Sequence, residues 1–180
     1  MTAATLSEHE AIPAAYPATP SGLTGPAASA DPAVIWARIE AWTAWRWSVR
    51  AVTWIAEGPG EWRPRLHPFA IATVEIWDGD AWLTSEPGRT PLGGYELGFA
   101  SYRFTGTAGA SDAPPAAVQE AWRRLASYSE KRGDRAPGSS VTSFTLGTLS
   151  ERVERSPDWL ARALINSGAA DLLRPYRSAP

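Results

Sequence analysis

At Ala51 the hydrophobic period of this chain switches from helical to alternating, which commits it to a fold that mixes helix and sheet. Before the switch, Asp31 and Pro32 supply an N-cap and a first-turn proline. Ile35, Ile39, Trp42, Trp45 or Arg46, and Val49 then recur at spacings of three and four, which is one helical face. Trp36 and Trp47 lie off that face, so the helix is expected to bury two sides, one of them available to another chain. After the switch, Val52-Thr53-Trp54-Ile55 reads as a short strand closed by Gly58-Pro59-Gly60. Phe69 and Ile71, then Val74 and Ile76, alternate on either side of a break at Ala72-Thr73, the mark of a bulge. Asp78-Gly79, between Ile76-Trp77 and Ala81-Trp82, predicts a type I′ hairpin in which Trp77 and Trp82 pair across the ladder. Tyr95 to Thr107 adds more strand, stopped at Gly109.

The flanks read differently. Nine of the first thirty residues are Ala and four are Pro, leaving room for helix only over Leu6–Ile12. Such an arm stays mobile or becomes ordered by lying on a neighbour. Pro114-Pro115 opens a second helix with an apolar stripe of Val118, Ala121 or Trp122, Leu125 and Tyr128, and Gly133 is its expected stop. A polar loop over 133–140, weak strand character over Val141–Leu149 and a solvated charged run over Glu151–Arg155 follow. Ser156-Pro157-Asp158 then caps a short helix, Trp159 to Asn166, and Leu172 to Arg177 form an amphipathic tail. The expected fold is α+β, mainly α: a small helical bundle with an antiparallel β insertion. Its parts are an arm (1–30), a helix–β-insertion–helix core (31–140), and a linker, short helix and tail (141–180).

Composition narrows the function. Lys and Arg number 17 against 19 Asp and Glu, a formal net charge of -2, which lacks the basic footprint of a free-standing nucleic-acid binder. There is no cysteine, so disulfides, thiolate metal sites and cysteine nucleophiles are excluded. No apolar run approaches the roughly 20 residues that span a bilayer. The two histidines are His9 in the arm and His67 between Arg65 and Pro68, neither with a catalytic motif around it. Asp78-Gly79-Asp80 begins like a calcium loop, yet Arg89 stands where the bidentate Glu belongs. Gly93-Gly94 and Gly106–Gly109 lack the Lys-Ser/Thr of a phosphate loop. Arg123-Arg124 and Lys131-Arg132 with Arg135 give the second helix a mildly basic edge, readable as a solvated face with a Glu120–Arg124 pair or as a surface that tolerates a phosphate backbone passing nearby. A non-enzyme without metal or cofactor is expected. Ten tryptophans and an apolar tail point instead to a contact protein, in which Trp159, Leu160, Leu164, Leu172, Leu173 and Tyr176 need cover from a partner or from the chain's own core.

Four stretches carry a resemblance. They are Ala37-Arg38-Ile39-Glu40-Ala41-Trp42-Thr43-Ala44-Trp45-Arg46, Tyr102-Arg103-Phe104-Thr105-Gly106-Thr107-Ala108-Gly109, Pro115-Ala116-Ala117-Val118-Gln119-Glu120-Ala121 and Ala169-Ala170-Asp171-Leu172-Leu173-Arg174-Pro175-Tyr176-Arg177. In this order they resemble the helix end, the "Y-x-F-T-x-x-A-G" strand and the "P-x-x-V/L-x-x-A" helix of head-to-tail connector (adaptor) proteins of tailed phages and gene transfer agents, and the "L-L-x-P-Y/W-R" ending of the gene-transfer-agent branch. The match covers roughly residues 31–132 and the tail. It departs at the start, where Leu6-Ser7-Glu8 is the only echo of the Leu/acidic-rich helix those proteins carry.

The resemblance implies a virion protein of the neck, made in the bacterial cytoplasm. About twelve copies would form a ring beneath the portal, extend the DNA channel, and dock the next neck or tail protein. Double-stranded DNA would pass without sequence-specific binding, and no membrane is involved. The tail residues Leu172, Leu173, Pro175 and Tyr176 would anchor in the portal, with Arg174 and Arg177 as polar contacts. Trp159, Leu160 and Leu164 would add contacts from the last helix, and Trp36, Trp47, Trp77 and Trp82 are candidates for the ring interface. The rival expectation is a small carbohydrate- or ligand-binding module that uses Trp54, Trp62, Trp77 and Trp82 as stacking platforms.

Overall fold

The computed structural model describes residues 3–130, 141–146, 149–154 and 162–177. The chain divides into two compact units, one made of residues 1–17, 43–113 and 176–180, the other of 18–42 and 114–175.

In the first unit eight strands build two antiparallel sheets. These are β1 (Ala4–Glu10), β2 (Arg50–Glu57), β3 (Gly60–Trp62), β4 (Phe69–Trp77), β5 (Trp82–Thr84), β6 (Gly88–Arg89), β7 (Tyr95–Leu97) and β8 (Ser101–Ala108). The larger sheet has the order β1-β2-β8-β4-β5 and the smaller β3-β7-β6. Alternation sorts each central strand: Val52, Trp54 and Ala56 of β2, and Tyr102, Phe104 and Ala108 of β8, are buried. Trp54 lies opposite Phe104, and Val74 of β4 lies opposite Phe104 on the other side. Trp62 from the small sheet stacks on Phe104 with ring centroids 4.2 Å apart, which ties the two sheets into one core.

The predicted bulge is present, with the β4–β8 register shifting between Ile71 and Thr73. The hairpin is present too, with Trp77 paired to Trp82. Its connection differs from the expected type I′ turn. Four residues lie between the paired tryptophans, and the Asp78 carboxylate accepts hydrogen bonds from the amides of Asp80 and Ala81 at 2.9 and 2.7 Å.

The second unit holds α1 (Pro32–Trp42), α2 (Ala116–Glu130), the hairpin of β9 (Val141–Leu146) and β10 (Leu149–Glu154), α3 (Ala163–Asn166) and α4 (Ala169–Leu172). Asp31 caps α1 as expected, accepting from the amide of Ala33 at 2.9 Å. Helix α2 is contacted by α1, by the 3-10 turn Gly25–Ser29, and by α3 and α4. Its Val118, Ala121, Trp122 and Leu125 are fully buried.

The expectation of a mainly α fold is corrected: strands occupy more of the described chain than helices do. Three local causes account for it. Helix α1 stops at Trp42 because the backbone beyond it is captured by the His67 segment. The amide of His67 donates to Ala44, and that of Arg46 donates to the carbonyl of His67 at 2.7 Å, so Trp45, Arg46, Trp47 and Val49 are not helical. The Leu6–Ile12 stretch is not helix, since β1 pairs antiparallel with β2 from Ala4↔Glu57 to Glu10↔Val52. The charged run after Leu149 pairs with Val141–Leu146 instead of standing alone in solvent. Gly133 and the cap at Ser156-Pro157-Asp158 lie outside the described residues. No helix among the described residues is long and apolar enough to cross a membrane.

Candidate functional site

The sequence directs attention to the tail and the tryptophans, and the structure sorts them by what they touch. In the tail, Leu173 is fully buried and Leu172 half-buried in the second unit. Arg174 is exposed and pairs with the exposed Asp171 at 3.0 Å. Pro175 and Arg177 are exposed. Tyr176 belongs to the first unit, where it meets Trp45 and Trp47 edge-on at centroid distances of 5.9 and 5.7 Å. Leu173 finds full cover and Tyr176 partial cover within their own chain, and the surface of the tail consists of Arg174, Pro175, Arg177 and parts of Leu172 and Tyr176. Leu164 of α3 is half-buried, while Trp159 and Leu160 lie outside the described residues.

Of the four ring-interface candidates, Trp36 and Trp47 are buried in the protomer, at 0% and 3% exposure. Trp77 and Trp82 are the two that reach the surface. They sit side by side at the hairpin, ring centroids 5.2 Å apart. The guanidinium of Arg103 lies 4.7 Å from the Trp82 ring centroid and is held there by two hydrogen bonds to Glu75, at 2.6 and 2.8 Å. Those bonds hold the Glu75 carboxyl below its usual range against the opposing effect of desolvation. Trp54 and Trp62 offer no stacking platform, because both are buried and their indole N–H groups are consumed internally.

One cluster escaped the sequence. Glu10, at the end of β1, accepts from Arg46 Nε at 2.7 Å and Nη2 at 2.9 Å, and from Arg50 Nη1 at 2.7 Å. Arg50 is buried and also donates to the carbonyl of Ser48, with its guanidinium 5.7 Å from the Tyr16 ring centroid. Burial alone would raise the Glu10 pKa, but the hydrogen bonds and charges of the two arginines outweigh it and the carboxyl is lowered. The signal was obscured because the β1 side chains that reach buried partners are polar, so no hydrophobic alternation marks the strand. Thr5, Glu8 and Glu10 face Trp62, Trp54 and the arginines, respectively.

His67 is structural in this arrangement. Its backbone bridges Ala44 and Arg46, and its ring lies between Trp45 and Phe69 at 6.4 and 5.7 Å. Burial, together with the Arg63 charge, keeps its imidazole below the ordinary histidine range. Among the described residues no group of three or more His, Asp or Glu is placed to hold a metal ion.

Compared with models of known protein families and with curated proteins, the chain matches none.

Proposed function

We propose that this chain is a head-to-tail adaptor of a tailed phage or gene transfer agent, a non-catalytic subunit that forms a ring below the portal. The observation that carries the reading is where the motif residues fall in the fold. The Tyr102–Gly109 motif is the central strand β8, and the Pro115–Ala121 motif opens α2. The Leu172–Arg177 motif closes α4 and the turn after it, so helix, antiparallel strands, helix and tail occur in that order, with β1 standing where the resemblance implies a helix and the β9–β10 hairpin preceding the tail.

A closed ring needs a heterologous interface, in which each subunit presents two different patches. The Trp77/Trp82 hairpin is one patch of suitable chemistry, since aromatic and Arg side chains are enriched in interfaces. The exposed Arg174, Pro175 and Arg177 are the portal-facing part of the tail in this reading. A chain of net charge -2 also lets DNA slide past without being held, because adhesion to the backbone scales with the phosphates neutralised.

The test is quantitative mass spectrometry of purified particles, normalised to the portal protein. About one copy per portal subunit is expected for a ring matched to the portal. Absence from intact particles would end the adaptor reading.

A further inference from the structure

A cleft of about 580 Å³ opens in the first unit, within the span of roughly 300–1,000 Å³ typical of ligand sites. One wall is β4 from Ile71 to Glu75, the other carries Arg89 of β6 and Tyr95 of β7, and Thr84–Pro87 line it as well. Three features of this cleft bear on what it can hold.

The first is backbone. On its far side β4 pairs with β5 only at Glu75–Trp77, extended by the amide of Ser85 donating to Val74, so residues 71–73 border the cleft and not another strand among those described. Such an edge is a template for an added strand. The bulge at Ala72 limits that addition to a short segment.

The second is a hydroxyl. Tyr95 is 2% exposed, and its phenolic oxygen has no hydrogen-bond partner among the described residues. A buried polar group without a partner is costly, and because this oxygen is closed off from solvent, a ligand in the cleft satisfies it only when the Tyr95 side chain turns toward the cleft.

The third is a charge. Arg89 lies opposite Tyr95 in the β6–β7 ladder with its guanidinium 4.2 Å from the tyrosine ring centroid, and no carboxylate pairs with it among the described residues. Two carboxylates line the cleft. Glu75 is held by Arg103, which leaves Glu86 exposed at the rim.

We infer that this cleft binds a short extended peptide segment bearing a carboxylate, its backbone pairing with the β4 edge, its carboxylate on Arg89, and one polar group on the Tyr95 hydroxyl once that side chain turns toward the cleft. The segment belongs to a partner protein, and the site does not depend on the adaptor reading.

The experiment titrates the full-length, isotope-labelled protein with a five-residue alternating Val/Thr peptide ending in a free carboxylate, and with its C-terminally amidated twin. Saturable amide shifts confined to residues 71–75 and the Arg89–Tyr95 ladder are expected. The carboxylate peptide should bind about fivefold or more tighter than the amide, as expected for one charge-assisted contact. Arg89→Gln should abolish that difference. Tyr95→Phe should weaken the peptide about threefold or more while leaving the Tm unchanged or raised, because it removes a hydroxyl that nothing satisfies. Absence of shifts, equal affinity for the two peptides, or an unaltered affinity in Tyr95→Phe would each overturn the proposal. So would acetate competing as strongly as the peptide, which would reduce the cleft to an anion site.

Discussion

The indole N–H of Trp54 donates to the carboxylate of Glu8 at 2.8 Å, across the pairing of a core strand with the N-terminal strand. Trp54 is fully buried, so its one polar atom depends on a residue 46 positions earlier in the chain. Thr5 serves Trp62 in the same way, at 2.9 Å. Strand β1 thereby supplies hydrogen-bond acceptors to a core whose apolar residues come from the other strands.

Replacing that acceptor isolates its contribution. Glu8→Ala should cost about 1–2 kcal/mol, the price of one hydrogen bond to a buried donor. Glu8→Gln keeps an acceptor oxygen and should recover most of the loss. Urea unfolding followed by tryptophan fluorescence reads both. Equal losses in the two variants would mean that the carboxylate acts by charge and not as an acceptor for the indole.

Acid should loosen the same strand at Glu10. Its carboxyl is depressed below the reference value of 4.5 by Arg46 and Arg50, despite the opposing desolvation. A group whose folded pKa is lowered contributes stability above its unfolded pKa and loses it as pH falls through the folded value. The wild-type protein should therefore lose stability progressively below about pH 4.5, and Glu10→Gln should lose less over that range. At neutral pH Glu10→Gln takes a charged hydrogen-bond acceptor from the buried Arg50 and should cost about 2–3 kcal/mol. Stability measured from pH 7 down to pH 3 checks both limbs. Parallel profiles for wild type and variant would assign the acid sensitivity to another carboxylate.

Gly106 is fixed by space. It sits in the central strand, and a Cβ there would meet the carbonyl oxygen of Ala70 at 2.1 Å and the Cα of Ile71 at 2.9 Å. Both are backbone atoms, which cannot rotate aside. Gly106→Ala should cost about 3 kcal/mol or more, at the upper end of overpacking penalties. Gly88→Ala, where nothing lies within 4 Å, is the matched control and should fall within about 0.5 kcal/mol of wild type. Thermal unfolding of the pair is sufficient.

What the sequence disclosed divides along physical lines. The bulge at Ala72, the Trp77–Trp82 pairing and the Asp31 cap were legible because each has a local signature within a few residues. Strand β1 was hidden because Thr5, Glu8 and Glu10 present polar atoms to buried polar partners, so no hydrophobic alternation marks them. The false extension of α1 through Val49 arose from apolar spacings that continue past Trp42, while the His67 segment, more than twenty residues away in sequence, takes the backbone hydrogen bonds. Trp36 and Trp47 were readable as aromatic, but whether they are core or surface was decided by packing that only the fold supplies.

The tail carries the last prediction, and its burial dictates how it must be tested. Removing everything after Gly168 deletes Ala169 and Leu173, both fully buried, and Tyr176, which packs on Trp45 and Trp47. That truncation should cost about 3–5 kcal/mol by the usual scale for emptying buried apolar sites. Any loss of partner binding it causes would then be inseparable from loss of fold. Arg174→Glu with Arg177→Glu alters exposed positions instead, and an exposed pair such as Arg174–Asp171 contributes little, so the Tm should stay within a few degrees of wild type. If the tail contacts the portal through these arginines, the double variant should fall out of purified particles while remaining folded. Retention at wild-type stoichiometry would remove the arginines from the docking surface and leave Pro175 and the exposed parts of Leu172 and Tyr176 to account for it.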